Sequence, residues 1–201
     1  NASLAWRFKA AAMGLPFLPA RVMMGTDTFE HSGAKEILCP FTGTKLLALP
    51  ALSPDVALIH VHRADVHGNC QIDGIIMADD DIAKASKRVI ITTEKIISVE
   101  EIRREPNRTV IPYWCVDAVI EMPFGSYPAN MPGEYFSDED HLKEWLVAEK
   151  DPESFKAFLE KNIFGCSDFY EYLQKNGGIE KIKLLRDKEF LSNSKGGVID
   201  G

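Results

Sequence analysis

Between Asp55 and Asn69 the chain reads DVALIHVHRADVHGN, and this stretch gathers more groups able to do chemistry than any other. An apolar run of Val56, Ala57, Leu58, Ile59 and Val61 carries His60, His62, Arg63 and Asp65, and closes on Gly68-Asn69. Three readings fit these residue types. His60 and His62 are two apart and share a strand face, as a pair of metal ligands would. A metal site needs more donors, however, and downstream of His67 the only histidine is His141, in an acidic stretch that reads as solvated, with no C-x-x-C or H-E-x-x-H anywhere. In the second reading Arg63 and Asp65 form a fixed ion pair at a substrate rim, and Gly68-Asn69 makes the tight turn beside it. In the third, the polar groups of the turn only satisfy one another. Cys70, close to His67 in sequence, adds a thiol and a base, the parts of a cysteine nucleophile.

These groups matter only if the surrounding elements bring them to one edge. The run from Asp55 to His62 reads as a central strand of a covered parallel sheet, and ligands bind at the carboxyl ends of such strands. RVIITTE, Arg88 to Glu94, reads as a second strand. If the two are parallel, Glu94 stands at the same edge as Arg63, where its carboxylate holds a basic partner, touches ligand, or acts as a cap. Between the strands, Asp79, Asp80 and Asp81 mark a helix start, since acidic groups favour the amino end and one can cap it. SVEEIRREP begins another helix, with Ser98 as cap and Glu101 at the third position, a capping box. WCVDAVIEM, Trp114 to Met122, reads as a third strand with Cys115 as a small core residue.

Upstream, Leu4, Phe8, Ala11 and Ala12 give an amphipathic helix. GLPFLP breaks it and leads into a strand, Ala20 to Met24; from Gly33 to Leu49 a loop and short strand turn at Thr42-Gly43. After the third strand, Gly125, Pro128, Pro132 and Gly133 forbid regular structure from Pro123 to Asp140, and Tyr127, Met131, Tyr135 and Phe136 give that loop apolar contact surface. Asp138 to Gln174 is helical by period, with Trp145, Phe155, Phe158, Leu159 and Tyr172 as its apolar stripe. The expected fold is α/β, a mostly parallel sheet flanked by helices with a helical C-terminal tail. Residues 1–137 form the α/β domain, and 138–201 a helical extension packing on it.

Composition excludes several classes of function. The 201 residues, 45% hydrophobic and 26% charged, suffice for one sizeable core. A net charge of −7 and a pI near 5.3 argue against nucleic acid, whose phosphates attract clustered Lys and Arg. The one basic knot, RREPNR from Arg103 to Arg108, is offset by Glu100, Glu101 and Glu105. No apolar run approaches the roughly 20 residues that span a bilayer, and no signal peptide is visible, so a soluble cytoplasmic protein is expected. Four widely spaced cysteines, at 39, 70, 115 and 166, fit free thiols of a reducing compartment.

Four blocks in order carry a resemblance: AAAMGLPFLPARVMMGTD (Ala10 to Asp27), RADVHGN, TTEKIISVEEIRREP (Thr92 to Pro106) and VDAVIEMPFGSYP (Val116 to Pro128). The chain resembles the A-type subunits of family I coenzyme A-transferases of the glutaconate type, from about Ala10 to about Leu185. The resemblance implies the CoA-transferase (NagB/RpiA-like) fold with its N-terminal part missing, because the A-type chains of the family begin well before the GLPFLP block. It implies a B-type partner chain, in a heterodimer or larger A/B assembly, with acyl-CoA and a small carboxylic acid as substrates. Coenzyme A enters as part of the substrate; no permanently bound cofactor, metal, nucleic acid or membrane is expected. The nucleophilic glutamate belongs to the B-type chain in such enzymes, so no catalytic residue is expected here. Arg63, Asp65, Gly68, Asn69 and Glu94, with Phe124, Gly125, Ser126, Pro128 and Tyr135 of the Gly-x-x-Pro loop, are the expected substrate-binding or interface residues. Related A/B pairs act instead as ring-opening acyl-CoA hydrolases of steroid degradation, with the working glutamate on the A-type chain just before the GLPFLP block. A non-catalytic scaffold role is the remaining alternative.

Overall fold

In the computed structural model, which describes residues 2–194, the chain divides into two compact units, Asn1–Gly125 and Ser126–Gly201. The division falls at Gly125 rather than at the expected boundary after Ser137.

The first unit holds two sheets. Strands β1 (Phe17–Ala20), β2 (Lys35–Leu38) and β3 (Lys45–Pro50) form an antiparallel sheet in the order β1-β3-β2, behind helix α1 (Ala2–Ala12) and beside the single turn α2 (Asp27–Glu30). Leu47 and Leu49 of β3 are fully buried there. The first strand lies earlier than the reading Ala20 to Met24. As an edge strand it tolerates Pro19, whose missing N–H weakens only a central strand, while Met23 (φ +68°) and Gly25 (φ +72°) turn the chain where the strand was expected.

The second sheet places the chemistry. It contains β4 (Val56–Ala64), β5 (Cys70–Gln71), β6 (Arg88–Ile96), β7 (Thr109–Ile111) and β8 (Ala118–Glu121) in the order β7-β5-β4-β6-β8. β4, β6 and β8 run parallel, and β5 and β7 add antiparallel pairs, so the sheet is mixed. Ala57, Ile59 and Val61 alternate inward and pack with Val89 and Ile91 of β6 and Ala83 of α3 (Asp79–Ala85). On the opposite face Val56 is 51% and Leu58 77% exposed while His62 and Ala64 are buried, so the strand expected to be covered on both faces is open on one at its start and covered on both at its carboxyl end.

Three local expectations need correction or refinement. Ala78 occupies the N-cap of α3 without a side-chain bond; Asp80 pairs with Lys84 (2.9 Å) and Asp81 with Lys9 (3.7 Å), so the three acids act on the helix dipole and on cations rather than as cap. The box at Ser98 is complete, with Glu101 N–H donating to Ser98 Oγ and Ser98 N–H donating to Glu101 Oε2, and it opens α4 (Val99–Arg104). The strand expected from Trp114 begins only at Ala118. Tyr113–Cys115 is a 3-10 turn, because Asp117 accepts from Val89 N–H (2.7 Å) and fixes where pairing with β6 can start. Cys115 therefore packs against the core from a turn rather than a strand.

The second unit is helical: α5 (Glu139–Ala148), α6 (Pro152–Leu159) continuing into a π turn at Glu160–Phe164, α7 (Phe169–Lys175) and α8 (Gly178–Ser194). Asp138, Asp151 and Asp168 cap α5, α6 and α7, each accepting a backbone N–H three residues on. Its interior is partly polar. Tyr127 donates to Asp138 (2.8 Å), Lys181 pairs with Asp138 (3.0 Å), and Tyr172 Oη lies 2.9 Å from His141 Nε2. His141, placed by sequence in a solvated stretch, is 6% exposed and stacks on Tyr127; burial lowers its pKa below the usual histidine value. Of the apolar stripe, Phe158 and Tyr172 join this cluster, while Trp145 stays 42% exposed.

Candidate functional site

Parallel pairing of β4 and β6 sets His60 opposite Thr92 and brings Glu94, two residues further along, to the same face. His60 Nδ1 lies 2.8 Å from Thr92 Oγ1 and Nε2 lies 2.9 Å from Glu94 Oε1. The group is satisfied when Nε2–H donates to the carboxylate and Nδ1 accepts from the threonine hydroxyl. The imidazole and the carboxylate are only 12% and 10% exposed, so their contact is shielded from water.

Glu94 does a second task. Its Oε2 accepts the Phe124 N–H at 2.7 Å, where Phe124 holds the left-handed conformation with φ +66°. A non-glycine residue there is strained by roughly 1–3 kcal/mol, and a charge-assisted bond of this kind offsets that strain. Gly125 follows at φ outside that region, but a Cβ on it would stand 2.6 Å from His60 Cε1. The turn Met122–Gly125, which leaves β8, is thus seated on the His60 ring and tied to Glu94.

Around the end of β4 the expected Arg63–Asp65 pair gives way to a different arrangement. Arg63 reaches Asp73 Oδ1 at 2.6 Å and Gln71 Oε1 at 3.2 Å, both on the antiparallel side of the sheet. This bond holds the Asp73 carboxyl below the usual carboxylate range. Asp65 is fully buried, and both its oxygens serve its own turn: Oδ1 accepts from His67 N–H and Asn69 N–H, and Oδ2 from Asn69 Nδ2. Asn69 Oδ1 in turn accepts from Tyr113 N–H at 3.2 Å. Gly68 has φ +99°, and a Cβ there would lie 2.7 Å from Val116 Cβ, so glycine is required twice over. For Asp65, Gly68 and Asn69 the self-satisfying turn is the observed one.

The remaining expectations fall out separately. His62 Nδ1 accepts from Asp73 N–H at 3.1 Å, and no cluster of three or more His, Cys, Asp or Glu able to hold a metal occurs among the described residues. Cys70 is buried and donates to Gly68 O; burial and then the Asp65 charge push its pKa to about 12, which removes it as a nucleophile. Ser126, Pro128 and Tyr135 belong to the second unit. There Tyr135, fully buried, accepts from Ser126 N–H (3.1 Å), and Pro128 O accepts from Asp138 N–H (2.9 Å). Sequence reasoning weighed His60 only as a metal ligand beside His62 and left out Thr92; the signal was HxH on one strand facing T-x-E on its parallel neighbour, which only the register turns into a contact.

Known proteins share this arrangement of blocks and strands. The sequence pattern of the family described as Coenzyme A transferase matches residues 1–122. The chain is 53% identical over 191 residues to an uncharacterized protein of Archaeoglobus fulgidus, covering 95% of this chain and 43% of that one. It is 40% identical over 192 residues to the A chain of glutaconate CoA-transferase from Acidaminococcus fermentans, covering 87% of this chain and 60% of that one. The crystal structure of glutaconate coenzyme A-transferase from the same organism superposes with a TM-score of 0.82 at 37% identity, over 89% of this chain and 62% of that one. The chain thus spans less than two thirds of the length of these relatives. The shared pattern, the sequence identity and the superposition agree, and the chain belongs to the coenzyme A transferase family.

Proposed function

We propose that this chain is the A-type part of a CoA-transferase that works with a B-type partner chain and moves CoA between an acyl-CoA and a small carboxylic or dicarboxylic acid. One observation carries the assignment of roles. Three carboxylates beside the carboxyl ends of β4 and β6 are already committed: Glu94 to His60 and Phe124 N–H, Asp65 to its turn, Asp73 to Arg63. In Glu94 and Asp65 both carboxylate oxygens accept hydrogen bonds, so their lone pairs are engaged and they are poor nucleophiles, while Asp73 is held by the Arg63 ion pair.

The reaction then runs on a glutamate of the B-type chain. Its carboxylate oxygen attacks the acyl thioester carbonyl and expels CoA thiolate, giving a mixed anhydride. The thiolate attacks the glutamyl carbonyl, releasing the donor acid and leaving a glutamyl-CoA thioester. The acceptor carboxylate repeats the sequence in reverse and leaves as acyl-CoA. Coenzyme A is carried within the substrate, and no permanently bound cofactor enters these steps. In the first unit His60 and Glu94 hold the Met122–Gly125 turn and Arg63, Gly68 and Asn69 contribute walls of the pocket; Ser126, Pro128 and Tyr135 of the second unit contribute to the interface with the partner. Preorganisation of this kind lowers the barrier without any group of the A-type chain being consumed. All four cysteines are free thiols and no described helix is long and apolar enough to cross a membrane, which supports a cytoplasmic location.

Co-expression with the cognate B-type chain tests the reading. With glutaconyl-CoA as donor, acetyl-CoA must form only when acetate is present. Free CoA released without acetate would make the pair a hydrolase, and a well-formed but inert complex would make this chain a scaffold.

A further inference from the structure

The turn that Asp65 and Asn69 build so thoroughly borders a cleft of about 510 Å³ within the first unit, closed on its other sides by α4 and by the segment from Pro106 to Tyr113. Its floor is apolar, with Val99 and Ile102, and Tyr113 stands over it with 59% of its surface exposed. Two basic side chains reach its rim, His67 and Arg103, and no carboxylate among the described residues lines it. That imbalance is unusual in a chain of net charge −7. Two of the neighbouring acids are occupied elsewhere, since Glu101 closes the box with Ser98 and Glu105 pairs with Arg108 at 3.0 Å; Glu100 is exposed on α4 and does not line the cleft. Arg103 itself forms no ion pair among the described residues.

One more atom singles the cleft out. Thr109 Oγ1, in its wall, is the one buried side-chain polar atom among the described residues without a hydrogen-bond partner. Buried hydroxyls are otherwise satisfied, so an orphan beside a cavity of ligand size marks a place where something completes the bond. Thr109 lines the cleft with its hydroxyl buried in the wall, so donating to a ligand requires the side chain to turn.

We propose that this cleft is a binding site for a small carboxylate anion with an apolar or planar body. The Arg103 fork takes the carboxylate, His67 lies beside it, the Thr109 hydroxyl donates to the same anion, and the body rests on Ile102 and Val99 under the Tyr113 ring. The planar guanidinium favours a carboxylate, and the apolar floor favours an acid with a carbon body over a bare inorganic anion. The site stands apart from the His60–Glu94 group and does not depend on the transferase reading.

The test is a titration of the full chain with benzoate and with butyrate, followed by backbone amide NMR signals of residues 67–69, 103 and 113. The expected result is saturable shifts confined to these signals, with benzamide inert and inorganic phosphate at least tenfold weaker than benzoate. Arg103→Gln should weaken benzoate at least tenfold. Thr109→Val should weaken it at least threefold while raising Tm, because it removes an orphaned hydroxyl. Shifts that fail to saturate, equal response to benzamide, or unchanged affinity in Arg103→Gln would each overturn the proposal, as would a Thr109→Val variant with lowered Tm and full affinity. In the complex with a B-type chain, Arg103→Gln then separates two sources of the acid. A raised acceptor KM identifies the acid of the reaction, and an unchanged KM with lost benzoate binding identifies a second, regulatory acid.

Discussion

Replacing Gly125 by alanine isolates the contact on which the candidate site rests. The backbone of Gly125 is open to an L residue, so the substitution meets only its surroundings: His60 Cε1 at 2.6 Å, His60 Nδ1 at 2.8 Å and Met122 O at 3.0 Å from the new Cβ. The imidazole cannot swing away freely, because Thr92 and Glu94 hold both its nitrogens. Overpacking of this kind costs about 1–3 kcal/mol, and pushing the ring off Glu94 adds part of the roughly 1–3 kcal/mol penalty for an unsatisfied buried group. We expect a total of about 2–4 kcal/mol. His60→Ala alone costs about 1–3 kcal/mol through the orphaned Glu94 oxygen, yet it opens the space that the added methyl of Gly125→Ala needs. The double variant should therefore lose less than the sum of the single changes by at least about 1 kcal/mol, a coupling that urea unfolding followed by circular dichroism resolves. Hydrogen exchange at the Phe124 amide, bonded to Glu94 at 2.7 Å, gives a local readout and should quicken in both single variants. Strict additivity, or a Gly125→Ala cost below about 0.5 kcal/mol, would refute the claim that the turn is seated on the His60 ring.

Further outcomes follow from other elements. Ser98→Ala removes the capping bond to Glu101 N–H and should cost about 1 kcal/mol in chemical unfolding, with Ser98→Asp retaining most of it. Burial lowers the pKa of His141, so the folded state binds its proton less readily than the unfolded chain; the resulting stability is present above the unfolded value near 6.5 and is lost as pH falls below it. Thermal unfolding of the helical unit should thus weaken from pH 7.5 to 5.5, and His141→Gln should flatten that slope. Among the cysteines, Cys39 has its pKa lowered by the Thr42 hydroxyl and should be alkylated first by iodoacetamide. Cys70, with its pKa at about 12, should be labelled last in mass-spectrometric time courses.

Local signals in the sequence served well where neighbours along the chain settle the structure. The capping box at Ser98 and Glu101 needs only four consecutive residues, and it formed as read. The hydrophobic period of β4 and β6 and the β-branched run at Arg88 to Glu94 gave parallel central strands, and Glu94 stands on the expected edge holding a basic partner. What sequence could not supply was which residue lies across the register. His60 meets Glu94 only because β4 and β6 pair with His60 opposite Thr92. Arg63 finds Asp73 because β5 folds back antiparallel and carries that carboxylate across, which made a neighbour in space of a residue ten positions away. The same limit explains His141: the acids flanking it suggested solvent, but Asp138 serves as helix cap and partner of Tyr127 and Lys181, and the imidazole turns into the aromatic cluster.

The central claim is that Asp65, Asp73 and Glu94 are structural and that the reaction's glutamate belongs to the partner. The most direct test is to incubate the assembled complex with donor acyl-CoA, reduce the enzyme thioester with borohydride, and locate the modified residue by peptide mass spectrometry. The account predicts conversion of one glutamate of the B-type chain to its alcohol, with Asp65, Asp73 and Glu94 unmodified. Modification at Glu94, or at any other carboxylate of this chain, would contradict it.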